Sequence, residues 1–478
     1  MTEVVKRVEL DKEEELDIEV DSEDYSRTRK IDDTTVKAGE ADQVEFPDGG
    51  KGWLVIFGCS FISFSTFGMI NAYGAFQSHY ETELFPNVKS STLAIIGACQ
   101  PAIVYGMIPI TLPLIHSFGI RNILMIGGAL VITGFFGLST TVEGQLWKCY
   151  VFQAIFYSFG AGLIYPPVFF SPVEWFKRKR AVALGISATG VGLGGMFWPL
   201  VFKNIVKKYS FKWAVRTIAI IYIPLIICAI AFIPQHLEAK YINKEETISN
   251  SKFNIEKIKK LPQKYLDTWR DWKIVSKSPI YIVLVLINLI GMFASYPAIF
   301  YIDYYAQVIN PGTSLSVNLL MMYNIMGAPG RVIPGYLSDK IGRVHVLLTS
   351  LFISGLSILV LWIPSIKTKL IAPYAVFVLL FGFCIGPFFA ICPACLGQIF
   401  GIVGSDARIS LFYAVATPGP IIGCLIAGSF IPTHSSNEED ILNAFVKLTL
   451  YSGIMLVAAS FLLIFVRFTI TRKLIAFV

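Results

Sequence analysis

From residue 53 onward, polar positions shrink to short interruptions between continuous apolar runs. Twelve runs can be drawn, at approximately 53–77, 91–115, 122–141, 147–172, 181–202, 213–233, 280–303, 316–337, 344–363, 371–396, 408–430 and 445–467. A helix rises about 1.5 Å per residue, so about 20 apolar residues cross the ~30 Å hydrocarbon core of a bilayer. None of the runs alternates in the way a barrel strand does. Lipid offers backbone groups no partners, and a helix satisfies them within its own segment. The pattern predicts an all-α membrane protein with 12 transmembrane helices.

Composition agrees. The chain has 478 residues, 54% hydrophobic and 15% charged, with a mean hydropathy of +0.62; soluble domains carry roughly 25% charged residues. Charge is divided along the chain. Residues 1–45 hold 16 acids and 7 bases, and the remainder holds 17 acids and 33 bases. The acidic front has too little apolar content to fold, which predicts a disordered tail. It lacks the apolar core of a signal peptide, so the first span is expected to act as its own insertion signal. An even span count puts both termini on one side. Short loops hold 8 Lys and Arg on that side and 9 on the other, and the connection 234–279 adds 10 to the first. The positive-inside rule then places termini and central loop in the cytoplasm. The KYSFKW loop at 208–213 runs against this. The expected division is a tail 1–45, a six-helix bundle 46–233, a basic loop 234–279, a second bundle 280–467 and a short tail 468–478. The central loop suits either the anionic inner leaflet or a solvated tether.

The halves share punctuation. HSFGIR ends at Arg121 after the second span, and GYLSDKIGR ends at Arg343 after the eighth, 222 residues later. Gly and Pro interrupt both of these spans, as matched irregular helices do in transporter repeats; the plainer alternative is that membrane helices are rich in both residues. The fifth span opens with EWFKRKRAVALGISATGVGLGG. Ala181, Gly185, Ala188, Gly192 and Gly195 fall on one helix face, and small residues let two helices in lipid approach and pack by dispersion. The eleventh span repeats the idea with Ala416, Gly419, Gly423 and Ala427. Such a face serves static packing or a seam along which two halves rock. The cations Lys177 to Arg180 are expected to be a cytoplasmic stop.

At these residues the chain resembles the major facilitator superfamily, and within it the monocarboxylate-transporter family, particularly its fungal branch. Gly335, Asp339, Lys340, Gly342 and Arg343 match the superfamily loop pattern G-x-x-x-D-[RK]-x-G-R. Asp48, Gly49, Gly50, Gly52 and Trp53 match the D-G-G-x-G-W signature at the first span, and the fifth-span stretch matches a second signature. The resemblance covers roughly 46–470. It implies two six-helix bundles in the major facilitator fold, a central cavity, alternating access and a substrate-facing arginine in the eighth span at Arg331. It departs at two places. The deep lysine of lactate-carrying animal members falls on Asn71, and the aspartate one turn before the arginine falls on Gly327. Fungal relatives are associated with other solutes, including riboflavin.

Charge within a bilayer is costly and marks function by default. Arg331 is the leading candidate for substrate contact, since a guanidinium grips an anion through paired hydrogen bonds; a gate role is the alternative. Asp303 is the candidate for proton coupling, against a hydrated place at the interface. Asn71, Gln77, Gln100, Gln153, Asn288 and Asn324 supply uncharged hydrogen bonds, with Asn71 and Asn324 expected at the solute. Tyr73, Tyr105, Tyr157, Tyr296 and Tyr301 offer flat faces toward a cavity, with Tyr73 and Tyr296 carried as binding candidates. The eight cysteines sit in or beside apolar spans and form no disulfide framework. No HExxH or Walker pattern occurs, so neither metal-dependent hydrolysis nor ATP-driven pumping is indicated. The expected function is secondary-active or facilitative transport of a small organic solute, anionic or heteroaromatic, with riboflavin or another non-lactate solute in view. A non-transporting receptor on the same fold is the alternative, and the short stretch after 467 favours transport. No enzyme activity, cofactor, metal or nucleic-acid partner is expected. The chain should act as a monomer in the plasma membrane, with a vacuolar or other organelle membrane as the alternative.

Overall fold

The computed structural model describes residues 49–234, 265–266, 269–310, 315–400, 405–431 and 438–470. The acidic tail, Asp48, most of the 234–279 loop and the last residues of the C-terminal tail lie outside the described residues. Twelve helical spans follow in order among those described. The first six are α1 Lys51–Leu84, α2 Ser90–Phe118, α3 Ile120–Leu138, α4 Leu146–Trp175, α5 Arg180–Lys208 and α6 Phe211–Phe232. The second six are α7 Pro279–Ile309, α8 Leu315–Ile341, α9 Arg343–Thr368, α10 Ile371–Ile399, α11 Ala407–Phe430 and α12 Glu438–Ile470. No strand occurs among the described residues.

Among the described residues, eleven helices are long and apolar enough to cross a membrane. The remaining one, α8, has 27 residues, about 40 Å at the helical rise. Its hydropathy is lowered by Asn324, Arg331, Asp339, Lys340 and two prolines. Several helices also run past the ends expected from the apolar pattern, since helical hydrogen bonding continues into the interfacial region where apolar content drops.

Among the described residues, α1, α4 and α11 are broken within the span, and a π segment Ile358–Trp362 interrupts α9. α1 consists of Lys51–Ser65, Phe67–Asn71 and Tyr73–His79, then a π turn Tyr80–Leu84. Beside the first break, Thr66 Oγ1 donates back to the Ile62 carbonyl at 2.7 Å and Ser65 Oγ to Phe61 at 2.9 Å; such bonds compete with the helical ladder and bend it. α4 contains a π segment Cys149–Tyr157 and breaks at Tyr165–Pro166, where Pro166 and Pro167 lack the N–H groups a continuous ladder needs. α11 breaks at Thr417, before Pro418. Discontinuous spans are where transporter sites form.

The small face of α5 packs on α8, across the two sets of six. A Cβ at Gly185 would sit 2.5 Å from the Arg331 carbonyl oxygen, nearer than any side chain can come, so only glycine permits this approach. Gly195 likewise faces the Asn324 side chain. The face is therefore the seam between halves. The eleventh span does not repeat this: Gly419 and Gly423 pack on Met292 and Phe293 of α7, inside the second set, while Thr417 reaches Gly106 of α2. The four cations also divide. Lys177, Arg178 and Lys179 are exposed, but Arg180 is buried and donates to the carbonyls of Phe176 at 3.1 Å and Val173 at 3.3 Å, covering the end of α4. The part of the central loop that is described is tied down at two points. Tyr265 donates to the Ile110 carbonyl of α2 at 2.9 Å, and Trp272 Nε1 to Ser410 Oγ of α11 at 3.0 Å.

Candidate functional site

The breaks in α1 and α4 flank a cavity between the two sets of helices. Phe67 and Asn71 of α1, Tyr105 of α2, Tyr165 and Phe169 of α4, and Leu184 of α5 line it from one side. Tyr296 of α7, Tyr323 and Arg331 of α8, and Phe389 of α10 line it from the other. The cavity has a volume of about 30 Å³, room for about two waters.

Arg331 is the charged residue of this lining. It is 4% exposed. Its Nη1 donates to its own helix at the Gly327 carbonyl, 2.8 Å away, and its buried Nε has no acceptor. Gly327 stands where a carboxylate would neutralise it. Four tyrosines share the lining, and phenols are uncharged at neutral pH. A buried cation without a counter-charge is costly, so the site is poised for an anionic or strongly polar group.

The walls are aromatic. Phe67 lies against Tyr105 and Tyr165, with centroids 5.1 and 4.6 Å apart. Tyr413 stacks behind, 5.1 Å from Tyr105 at an interplanar angle of 7° and 4.5 Å from Phe169 at 26°. The hydroxyl of Tyr296 donates to that of Tyr105 across the two halves at 3.3 Å. A flat ring finds stacking faces here, each pair worth about 0.5–1.5 kcal/mol beyond its area.

The structure thus gathers Arg331, Asn71 and Tyr296, and Asn324 adjoins them through a 3.1 Å hydrogen bond from Asn71 Nδ2 to Asn324 Oδ1. Tyr73 is not brought there. Two residues along a helix point to opposite sides, so its ring lies against Gly97 of α2 and its hydroxyl donates to the Leu93 carbonyl. Tyr105 lines the cavity, whereas Tyr157 donates to the Thr66 carbonyl at 2.8 Å and Tyr301 packs near Phe445. Gln153 accepts from Tyr80 at 2.7 Å and Asn288 donates to Phe412 at 3.1 Å, both as ties between helices. Asp303 lines a separate recess with Lys203, Ser78 and Leu320, and accepts from Gln307 at 2.7 Å. Tyr165, Tyr323, Phe67, Phe169 and Phe389 were not singled out by sequence. Only the Tyr165–Pro166 break could have drawn notice, because an aromatic residue facing a cavity reads like one facing lipid.

The loop motif closes one end. Asp339 accepts from the backbone N–H groups of Ala181 at 3.2 Å and Val182 at 3.0 Å, in the first turn of α5. Those donors have no partner within their helix, and the helix dipole favours an anion there. Asp339 also pairs with Arg343 at 2.8 Å, and both side chains are buried. Gly342 holds φ at 102°, a conformation glycine adopts freely, and turns the chain into α9. Gly335 packs against the Ala181 carbonyl and Lys340 lies over Tyr336 at 4.4 Å. At the start of α1, Gly50 has φ 58°. Gly52 admits the rings of Trp175 and Phe176, and Trp53 meets Phe176 at 4.7 Å. The described part of the signature thus anchors α1 to α4.

Known proteins place this arrangement. The chain is 28% identical over 432 residues to the MFS transporter asaE of Aspergillus flavus, covering 90% of each protein. It is 26% identical over 448 residues to the riboflavin transporter MCH5 of Saccharomyces cerevisiae, covering 91% of this chain and 84% of that protein. Among solved structures, the peptide transporter POT superposes with a TM-score of 0.61 at 16% identity, over 89% of this chain and 97% of the other. The family model for the Major Facilitator Superfamily matches residues 53–334 and 310–475. With the matched loop motif and a cavity between two sets of six helices, the chain is a member of the Major Facilitator Superfamily, an integral membrane transporter fold.

Proposed function

We propose that this transporter carries a small planar organic solute, anionic or heteroaromatic, through the central cavity by alternating access. One observation carries the reading: Arg331 is buried among four tyrosines with its Nε free of any acceptor. A carboxylate or acidic heterocycle meets that donor, and the rings of Phe67, Tyr105 and Phe169 receive a flat body. Similarity to a protein named as a riboflavin transporter supports the heteroaromatic class. The D-G-G-x-G-W and fifth-span signatures support a place beside monocarboxylate transporters, though with Asn71 and Gly327 at the positions of lysine and aspartate. Neither replacement titrates, which favours flux without proton coupling. We assign 46–233 and 280–467 as the moving bundles. The Lys and Arg distribution supports the Asp339 end as cytoplasmic, and the plasma membrane as the site of action.

Uptake into cells expressing the chain tests this with riboflavin, benzoate, lactate and pyruvate, with and without a pH gradient. Riboflavin or benzoate should enter at least about tenfold faster than lactate, unchanged by the gradient. Selective, proton-stimulated lactate uptake would overturn it. Saturable binding of panel members without flux would favour the receptor reading.

A further inference from the structure

The seam between the halves is unequal along its length. Toward the Asp339 end, taken above as cytoplasmic, α5 and α8 are in backbone contact at Gly185 and are tied through Asp339. Toward the Asp303 end the helices part around the recess lined by Ser78, Pro199, Lys203, Asp303, Leu320 and Met321. A Cβ at Gly74 would reach only Leu320 there, at 3.6 Å. Among the described residues, a polar junction stands where the linings of that recess and the central cavity adjoin on α1 and α8. Asn71 of α1 donates to Asn324 of α8 at 3.1 Å. Asn324 is 1% exposed, and its own Nδ2 is shared between the carbonyls of Leu320 at 3.0 Å and Gly195 of α5 at 3.5 Å. Gly195 is what admits the Asn324 side chain.

We propose that the Asn71–Asn324 amide pair is the outer gate of the cavity, and that its opening swings the α1 segment beyond Ala72. Three features combine here. Asn71 lines the cavity, so a solute arriving or leaving passes it. It is the last residue of the Phe67–Asn71 piece, directly before the turn at Ala72, so the outer part of α1 has a place to bend. The partner amide is held by two carbonyls, one on each side of the seam, and keeps its oxygen toward Asn71. An amide pair does not titrate, so it adds no pH dependence of its own. The charged and ionisable groups around it are Arg331 and tyrosines on the cavity side and Lys203 and Asp303 on the recess side.

The gate is testable without knowing the solute. A Met321→Cys reporter in the recess, on α8 and not on the moving segment, and a Leu184→Cys reporter in the cavity are reacted with a membrane-impermeant maleimide from outside, in full-length protein in right-side-out vesicles. Rates are taken above the background of the native cysteines. Asn71→Ala should raise labelling of the cavity reporter about tenfold and leave the recess reporter unchanged. Asn71→Asp should make the ratio of its cavity labelling to that of wild type at the same pH rise with pH. At low pH the added carboxylic acid donates to Asn324 and keeps the gate shut. As pH rises the ionised form repels the Asn324 oxygen, draws in water and opens it. Wild-type labelling should follow only the thiolate fraction of the reporter, because the thiolate is the form that reacts. Loss of packing alone would raise the rate in both variants with a variant-to-wild-type ratio that does not change with pH, which would overturn the proposal. So would unchanged cavity labelling in both.

Discussion

Replacing Arg331 with glutamine should abolish solute uptake while leaving the protein in the membrane. The guanidinium is 4% exposed and has a donor with no acceptor. Removing one member of a buried charge-assisted contact typically costs 2–5 kcal/mol, much of it from stranding the other. At about 1.4 kcal/mol per tenfold, affinity for an anionic solute should fall at least about thirtyfold. Lysine should not rescue it, because a point charge lacks the planar fork and could not hold both Gly327 and a solute. The same site should show the opposite effect on stability. A buried cation without a counter-charge costs more than an apolar side chain of similar volume. Arg331→Met should therefore melt several degrees later in detergent while transporting nothing. Uptake and thermal unfolding, measured on the same preparations with surface expression quantified, check both arms. Normal uptake by Arg331→Gln would remove Arg331 from the solute site.

Asp339→Asn should release the Asp339 end of the seam, the end proposed above as cytoplasmic. The carboxylate spans the seam to the Ala181 and Val182 N–H groups and also balances Arg343. Only the contacts with α5 cross the seam and bias its opening: an anion at a helix N-terminus contributes about 0.3–2 kcal/mol, and a hydrogen bond to a charged group about 1.5–3 kcal/mol. A loss of about 1.4 kcal/mol or more shifts a balanced two-state equilibrium by at least tenfold. In inside-out vesicles, the Leu184→Cys reporter should then react with a maleimide at least about tenfold faster in the variant, and net uptake should fall. Arg343→Gln should have the smaller effect, since it leaves both contacts of Asp339 with α5 in place. Equal effects from the two would mean that the ion pair, rather than the tie to α5, holds this end closed.

Much of this protein was legible in its apolar runs. Twelve spans, the repeated punctuation and the motif at 335–343 lead to the fold, because a bilayer allows few ways to satisfy a backbone. Arg331 was legible for the same reason: a charge within an apolar span stands out against its neighbours. The small face of α5 was visible as a pattern, but its partner was not, since a 4-3-4-3 spacing shows that a face exists and says nothing about what meets it. The similar spacing in α11 faces α7 within its own half.

By itself, then, the sequence determined membrane residence, helix number and order, and the one cation placed within the eighth span, all consequences of local solvation cost. Only the tertiary structure decided that Asn71 and Asn324, 253 residues apart in the chain, share a hydrogen bond, that Tyr73 faces α2 while Tyr105 and Tyr296 meet, and that Asp303 lies in a separate recess. Those outcomes depend on helix rotation about its own axis. Lipid and a narrow cavity both accept an aromatic face, so hydropathy leaves that rotation open, and close packing of the twelve helices settles it.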